Sequence, residues 1–298
     1  MTHSIDRREF LKLAGLGGVV LVSGGASLAR GATAAQGSDF YFVQLSDCHW
    51  GFEGAAQNPD ATGTLKKAVA AVNSLKEPPD FIVFTGDLTH TTEDGKVRRK
   101  RMDEVRGIIG ELKVKDIKFM PGEHDASLDH GKAFQEFFGE THWTFDHKGV
   151  HFVAIDNVSD PGASIGGDQL AWLAADLERQ PKDARIVVFT HRPLFDLYPQ
   201  WDWATTDGAK AIEILQTRDN VTVFYGHIHQ EHHHTTGRIE HHAAKGLMFA
   251  LPAPGSQLKR TPVAWDPAAP YKGLGFREVE AEARPVKYDL TELPVVAA

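Results

Sequence analysis

Asp47, His49, Asp87, Glu123, His191, His227 and His229 are metal-binding residue types, and their motifs each follow an apolar run. They stand in five short motifs: Asp47-Cys48-His49, Gly86-Asp87, Gly122-Glu123-His124-Asp125, the lone His191, and Gly226-His227-Ile228-His229. Imidazole with carboxylate suits divalent transition ions, with positions left open for water and substrate. Two ions about 3.5–4 Å apart need a bridging ligand, and a carboxylate bridges well. Such a pair makes hydroxide available near neutral pH and stabilises the charge of in-line attack on phosphorus. Together the motifs predict a two-metal centre for phosphate ester hydrolysis.

These residues need elements that bring them to one place. Phe40 to Leu45 runs into Asp47, Phe81 to Phe84 into Gly86-Asp87, and Ile117 to Met120 into Gly122. Ile186 to Phe189 leads to His191, and Val221 to Tyr225 leads to Gly226. Apolar, β-branched and aromatic runs of this kind predict strands buried on both faces. Helical patterns lie between them, over Thr64 to Leu75, Lys96 to Leu112, Gln169 to Glu178 and Gly208 to Leu215. Alternation predicts a layered α/β fold with its ligands at the carboxyl ends of the strands. Strand alternation places Asp47 and His49 on one side and Cys48 on the other, in the core. The same spacing gives His227 and His229 a common side. Gly86, Gly122 and Gly226 are expected at tight turns where backbone passes close to an ion.

The order Asp-x-His, Gly-Asp, Gly-x-His-Asp, His, Gly-His-x-His resembles the signature of the calcineurin-like metallophosphoesterases. The resemblance covers Phe40 to Pro254, and smaller traits share it: Asp156-Asn157, Gln169-Leu170-Ala171-Trp172-Leu173 and His191-Arg192-Pro193. It implies a four-layer α-β-β-α sandwich of two mixed sheets flanked by helices. It also implies two divalent or mixed-valent transition-metal ions, Mn, Fe or Zn. Asp47, His49 and His229 would hold the first ion, Asp87 would bridge, and Glu123, His191 and His227 would hold the second. His124 would serve as acid or charge stabiliser at the phosphate, with Asp125 fixing its orientation. One position departs from the pattern, since the family usually has Asn where this chain has Glu123. A carboxylate there adds negative charge and length, which favours a more highly charged ion and weakens attraction for anionic substrates. The implied substrate is a small-molecule phosphate ester, with phosphodiesters such as cyclic nucleotides ahead of phosphomonoesters. A metal-binding module for sensing, scaffolding or redox chemistry is the reading from another class. His124 and Asp125 argue against it, because pure metal binding needs no acid beside the ions.

The N-terminus predicts an address. Arg7-Arg8 is followed by Phe10-Leu11-Lys12, a Gly-rich apolar stretch from Leu13 to Leu28, and Ala32-Thr33-Ala34. This is the pattern of a twin-arginine (Tat) signal peptide over residues 1–34, cleaved after Ala34. A periplasmic or secreted protein, carried already folded by the Tat export machinery, follows from it. The alternative is an uncleaved membrane anchor, although the apolar stretch is shorter than the roughly 20 residues that span a bilayer. Residues 38–254 are read as the metallophosphoesterase domain. Residues 255–298, with strand-like pieces at Gly275 to Glu280 and Val286 to Leu290, add edge strands and a loose tail to the same domain.

Composition narrows the partners. The formal net charge of −8, from 32 Lys and Arg against 40 Asp and Glu, argues against a nucleic-acid polymer, which calls for a basic stripe. One cysteine in the chain excludes an internal disulfide. The 16 histidines exceed what one centre uses. His232, His233, His234, His241 and His242 flank a turn at Thr236-Gly237 and are expected on an exposed polar hairpin, with the site mouth as the alternative. His90 is read as a phosphate donor or an outer partner of the centre. His130, His142, His147 and His151 are expected to be ordinary surface or core histidines. Trp50-Gly51-Phe52, Tyr198, Trp201 and Trp203 are pocket candidates or simple covers of the sheet edges, and Arg192 is a phosphate-binding or turn residue.

Overall fold

The computed structural model describes residues 38–54, 56, 61–283 and 287–295. The predicted signal peptide, and Val286 at the start of an expected strand, lie outside them. Five strands build one sheet: β1 (Phe40–Leu45), β2 (Phe81–Thr85), β3 (Ile117–Met120), β10 (Gly275–Glu282) and β11 (Lys287–Pro294). Their order is β11-β10-β1-β2-β3. The second sheet, in the order β4-β5-β6-β7-β9-β8, contains β4 (Trp143–His147), β5 (Val150–Ala154), β6 (Arg185–Phe189), β7 (Asn220–Tyr225), β8 (His232–Thr236) and β9 (Ile239–Ala243). Both sheets are mixed. β1, β2 and β3 run parallel while β10 and β11 are antiparallel. β5, β6, β7 and β9 run parallel, with β4 and β8 antiparallel at the two edges.

Three apolar layers hold this together. Phe42, Phe81, Phe152, Phe189 and Phe224 interlock between the sheets, with Phe42 stacked on Phe81 at 4.9 Å and edge-on to the other three. Full burial of a side chain of this size stabilises the fold by about 1.5–3 kcal/mol. On the outer face of the first sheet, Val43, Leu45, Ile82 and Phe84 pack against helices α1 (Ala61–Asn73) and α2 (Gly95–Ile109). On the outer face of the second, Val153, Ile186, Val188 and Val223 pack against α5 (Gly167–Glu178) and α6 (Gly208–Leu215). The result is the predicted α-β-β-α sandwich. Asp94 caps α2 by accepting from the Lys96 and Val97 N–H groups, as its place before the helical run dictates.

Two expectations need correction. β3 is not buried on both faces, because it forms a sheet edge and only Met120 is enclosed. The C-terminal segment is more than an edge: β10 lies inside the sheet, between β11 and β1, and carries the fully buried Arg277. Only β11 is peripheral, and Val295 after it is 1% exposed rather than loose.

Candidate metal centre

All five motifs open at the carboxyl ends of parallel strands. Asp47 and His49 follow β1, Asp87 follows β2, and His191 and His227-Ile228-His229 follow β6 and β7. Glu123, His124 and Asp125 lie in α3 (Glu123–Ala126), a single turn after β3. Strand alternation is not what aims the side chains. Asp47, His49, Asp87, His227 and His229 all have left-handed backbone, with φ of 57°, 42°, 51°, 66° and 51°. Non-glycine residues in this region carry strain of about 1–3 kcal/mol each and persist where surrounding bonds over-determine them. Those bonds are present: Asp47 N–H donates to Gly86 O and His49 N–H to Asp87 O. Asp47 Oδ2 accepts from His227 N–H at 3.1 Å, and Asp87 Oδ1 accepts from His124 N–H at 2.9 Å. The glycines make room for protein as much as for ions. A Cβ at Gly122 would stand 2.0 Å from Asp87 Oδ1, and one at Gly86 would stand 2.4 Å from His191 Nδ1.

The seven predicted ligands converge. Asp47, His49 and His229 form one group, and Asp87, Glu123, His191 and His227 form another. Asp87 Oδ2 lies 3.5 Å from His49 Nε2 and 3.3 Å from His191 Nε2, so it touches both groups, as a bridge must. Glu123 reaches both partners of its group, 2.9 Å from His191 Nε2 and 2.9 Å from His227 Nδ1. Outer bonds fix which nitrogen faces inward. His191 Nδ1 donates to Thr85 O at 2.7 Å and His229 Nδ1 to Phe249 O at 2.7 Å, while His227 Nε2 faces Asp202 O at 3.3 Å. When the rings are neutral, the inward nitrogens of His191 and His229 therefore carry the lone pair, the arrangement metal-binding histidines use. His49 Nε2 and His229 Nε2 face each other at 3.0 Å, which a shared cation resolves. The donor set fits two ions.

The electrostatics agree. Burial pulls Glu123 upward, but His227 and His191 outweigh it and hold the carboxylate well below its usual range. Burial opposes protonation of His191, yet Asp87 and Glu123 raise it well above an ordinary histidine, and Asp47 does the same for His229. The carboxylates at these two positions favour a positive charge there. His49 and His227 move the other way, each lowered first by burial. Cys48 is no ligand: it packs in the core, and burial followed by the Asp47 charge pushes its thiol up.

His124 and Asp125 are placed differently from each other. His124 stands at the mouth, a quarter exposed, with Nε2 4.0 Å from Asp87 Oδ2. Its partner is not Asp125 but Thr91, whose N–H and Oγ1 lie 3.3 and 2.6 Å from Nδ1. A backbone N–H can only donate, so Nδ1 accepts and the neutral ring carries its proton on Nε2, facing the centre. Asp125 instead accepts from the N–H groups of Gly122, Leu88 and Thr89 and from Thr89 Oγ1. It ties the loop after β2 to the turn after β3, while burial and the Asp87 charge raise it to about 6.

The centre opens into a cleft of about 170 Å³, whose lining includes Phe52, His90, Phe249, Leu251, Arg260 and Pro262. His90 is an outer partner, with Nδ1 3.2 Å from His49 Nδ1 and its ring stacked on His124. Of the aromatic candidates only Phe52 lines the cleft. Trp201 and Trp203 are buried beneath the His227 loop with Tyr225 and Ile228, and Trp50 Nε1 donates to Glu104 at 2.8 Å. Arg192 is buried, paired with Asp202 and 3.8 Å from Glu123, so it supports a ligand and does not reach the cleft. The cation in the cleft is Arg260, with Nη1 3.4 Å from His227 Nε2. Sequence patterns had no signal for Arg260, Phe249 or Thr91, which lie in loops outside every motif.

A calcineurin-like phosphoesterase family model matches residues 40–231. The chain belongs to that family. This phosphoesterase is 29% identical over 165 residues to a protein of Arcobacter nitrofigilis named a probable glycerophosphodiester phosphodiesterase, covering 51% of the chain and only 56% of that relative. It is 27% identical to a probable cyclic nucleotide phosphodiesterase of Rhodopseudomonas palustris, over 69% of the chain and 77% of the relative. A serine/threonine-protein phosphatase of Mus musculus is 28% identical, over 64% of the chain and 70% of its own length. Among solved structures, a dimetal phosphatase from Danio rerio superposes with a TM-score of 0.61 at 14% identity, covering 86% of this chain and 96% of that one. At that identity the likeness is one of fold.

Proposed function

We propose that this phosphoesterase is an exported phosphodiesterase that uses two transition-metal ions, Mn, Fe or Zn, held by Asp47, His49, Asp87, Glu123, His191, His227 and His229. The observation that carries the reading is the cleft, where a proton-bearing His124 Nε2 stands at the centre between a cation, Arg260, and apolar walls, Phe52, Phe249 and Leu251. A diester carries a second organic arm beside its phosphate, and these walls offer that arm a dry surface while Arg260 offers a charge for an anionic group. Relatives named as phosphodiesterases support it.

Bound divalent ions would supply Lewis-acid charge to the phosphate and a nucleophile near neutral pH. The chain does the rest. Asp87 and Glu123 hold the histidine nitrogens in register and keep the buried charge balanced. Thr91 fixes the His124 tautomer so that Nε2–H points at the centre and can donate a hydrogen bond to the ester oxygen as negative charge develops there, a role worth about 10²–10³-fold. Phe249 O and Thr85 O keep His229 and His191 aimed inward.

The test is hydrolysis of a bis-aryl and a mono-aryl phosphate by the full chain loaded with Mn, Fe or Zn. Faster turnover of the diester supports the proposal. Preference for the monoester assigns the centre to phosphatase work, and no turnover of either with a filled centre favours a binding module. Export is tested by fractionating cells that express Arg7→Lys/Arg8→Lys, which should retain the protein in the cytoplasm.

A further inference from the structure

The β8–β9 hairpin carries five histidines that the centre does not use, and its register sorts them onto two faces. His234 pairs with His241, and His233 pairs with His242. On one face the rings are absorbed by packing: His234 stacks on Phe195 at 3.8 Å, His232 Nδ1 meets Tyr225 Oη at 3.0 Å, and His241 is fully buried. The other face is different. His233 Nδ1 and His242 Nδ1 point at each other across the strands, 2.8 Å apart.

The far nitrogens decide how this contact is shared. His233 Nε2 lies 3.4 Å from Glu231 Oε1, and His242 Nε2 lies 3.7 Å from Glu240 Oε2. The Glu231 carboxylate favours the ring proton on His233 Nε2, which leaves the His233 Nδ1 lone pair facing His242. Two neutral rings share this contact as an N–H···N hydrogen bond, and a metal ion can take it over by displacing that one proton. A carboxylate behind each imidazole is also how metal-binding histidines are oriented and made more basic.

We propose that His233 and His242 form an accessory transition-metal site at this sheet edge, binding an imidazole-seeking divalent ion such as Zn²⁺ through their Nδ1 atoms, with Glu231 and Glu240 behind them. Water completes the coordination, since His233 is half-exposed and the edge strand leaves that side open. Burial and the Arg277 charge hold His242 down at about 3, so no second proton occupies its ring at neutral pH. Arg277 does not repel the ion with its full charge, because Glu292 pairs with it. Zinc, nickel and copper suit paired imidazoles, whereas calcium and magnesium do not. Occupancy would pin β8, the outermost strand, to β9.

No residue is shared with the principal centre, so the two can be measured separately. The full chain is titrated with Zn²⁺ and its bound equivalents counted beside His233→Ala, His242→Gln and His234→Ala. The wild type and His234→Ala should bind one equivalent more than His233→Ala and His242→Gln, whatever the principal centre holds. Zn²⁺ should also raise the Tm of the wild type further than that of His233→Ala. His233 is on the surface, so that variant keeps its fold even if His242→Gln does not. Equal zinc counts in wild type and His233→Ala would overturn the proposal, as would loss of the extra equivalent in His234→Ala.

Discussion

His227 and His229 leave β7 with left-handed backbone, whereas His232, His233 and His234 run straight on into β8. The two sets are neighbours in sequence and equally rich in imidazole, yet they are held in opposite ways. At the centre each ring gives its outer nitrogen a fixed partner, such as Phe249 O behind His229, and presents its inner nitrogen to carboxylates of other motifs. In the hairpin, strand alternation alone distributes the rings, and His241 ends with both nitrogens buried and without a hydrogen bond. At the principal centre, backbone strain and a distant carbonyl aim each histidine, whereas in the hairpin only strand register brings two imidazoles together.

The comparison can be broken at several points. His124→Ala should keep its metal content and lose about 10²–10³-fold in kcat on esters with poor leaving groups. The loss should shrink for a nitrophenyl leaving group, whose oxygen carries less charge. An equal loss for both kinds of ester would remove His124 from the leaving oxygen. Glu123→Ala should weaken one of the two bound ions by at least the roughly 10–100-fold typical of losing even an outer partner, read by competition with a chelator. Unchanged affinity would show that Glu123 is a bystander. Thr91→Val removes the hydroxyl but keeps the backbone N–H on His124 Nδ1, so a decrease of only about tenfold is expected, with Thr91→Ser restoring it.

The hairpin should respond with the opposite sign. His241→Leu removes a buried polar ring that has no partner, so stability in denaturant titration should rise by about 1 kcal/mol instead of falling. Its pH dependence follows from the same burial. His241 is held down at about 4, first by burial and then by His234, against an ordinary value of 6.5. Between those values the unfolded chain binds the proton and the folded chain does not. His241 alone should contribute its full stability above pH 6.5 and cost the wild type on the order of 2 kcal/mol as pH falls toward 4. His241→Leu should lose less. A loss of equal size in both would place the acid sensitivity elsewhere.

Much of this arrangement was legible in the sequence. Strands were readable because Phe40 to Leu45 and its equivalents are continuous apolar runs, and each ligand follows one. The sandwich came with the resemblance, and β10 was underread because Arg277 and Glu278 interrupt its pattern. Strand alternation gave the right sides for Asp47, Cys48 and His49 for a wrong reason, since all three lie beyond β1 and Asp47 and His49 have left-handed backbone. Adjacency in the chain suggested that Asp125 orients His124, but a one-turn helix points neighbouring side chains apart, and Thr91 fills that role. Arg260 and Phe249 reach the cleft through long-range packing of irregular loops, for which no periodicity exists. The exposed hairpin was half right: His233 is in solvent, whereas His241 lies in the core because β9 pairs with β7.

The central claim is that seven residues from two sheets hold two ions and that Asp87 joins them. Metal content of the purified full chain and of Asp87→Asn, measured alongside hydrolysis of the bis-aryl phosphate, tests it most directly. The account predicts two equivalents at the centre in the wild type, and in Asp87→Asn the loss of at least one of them together with a fall of about 10³-fold or more in kcat. Asp87→Asn that keeps both ions and full turnover would contradict it.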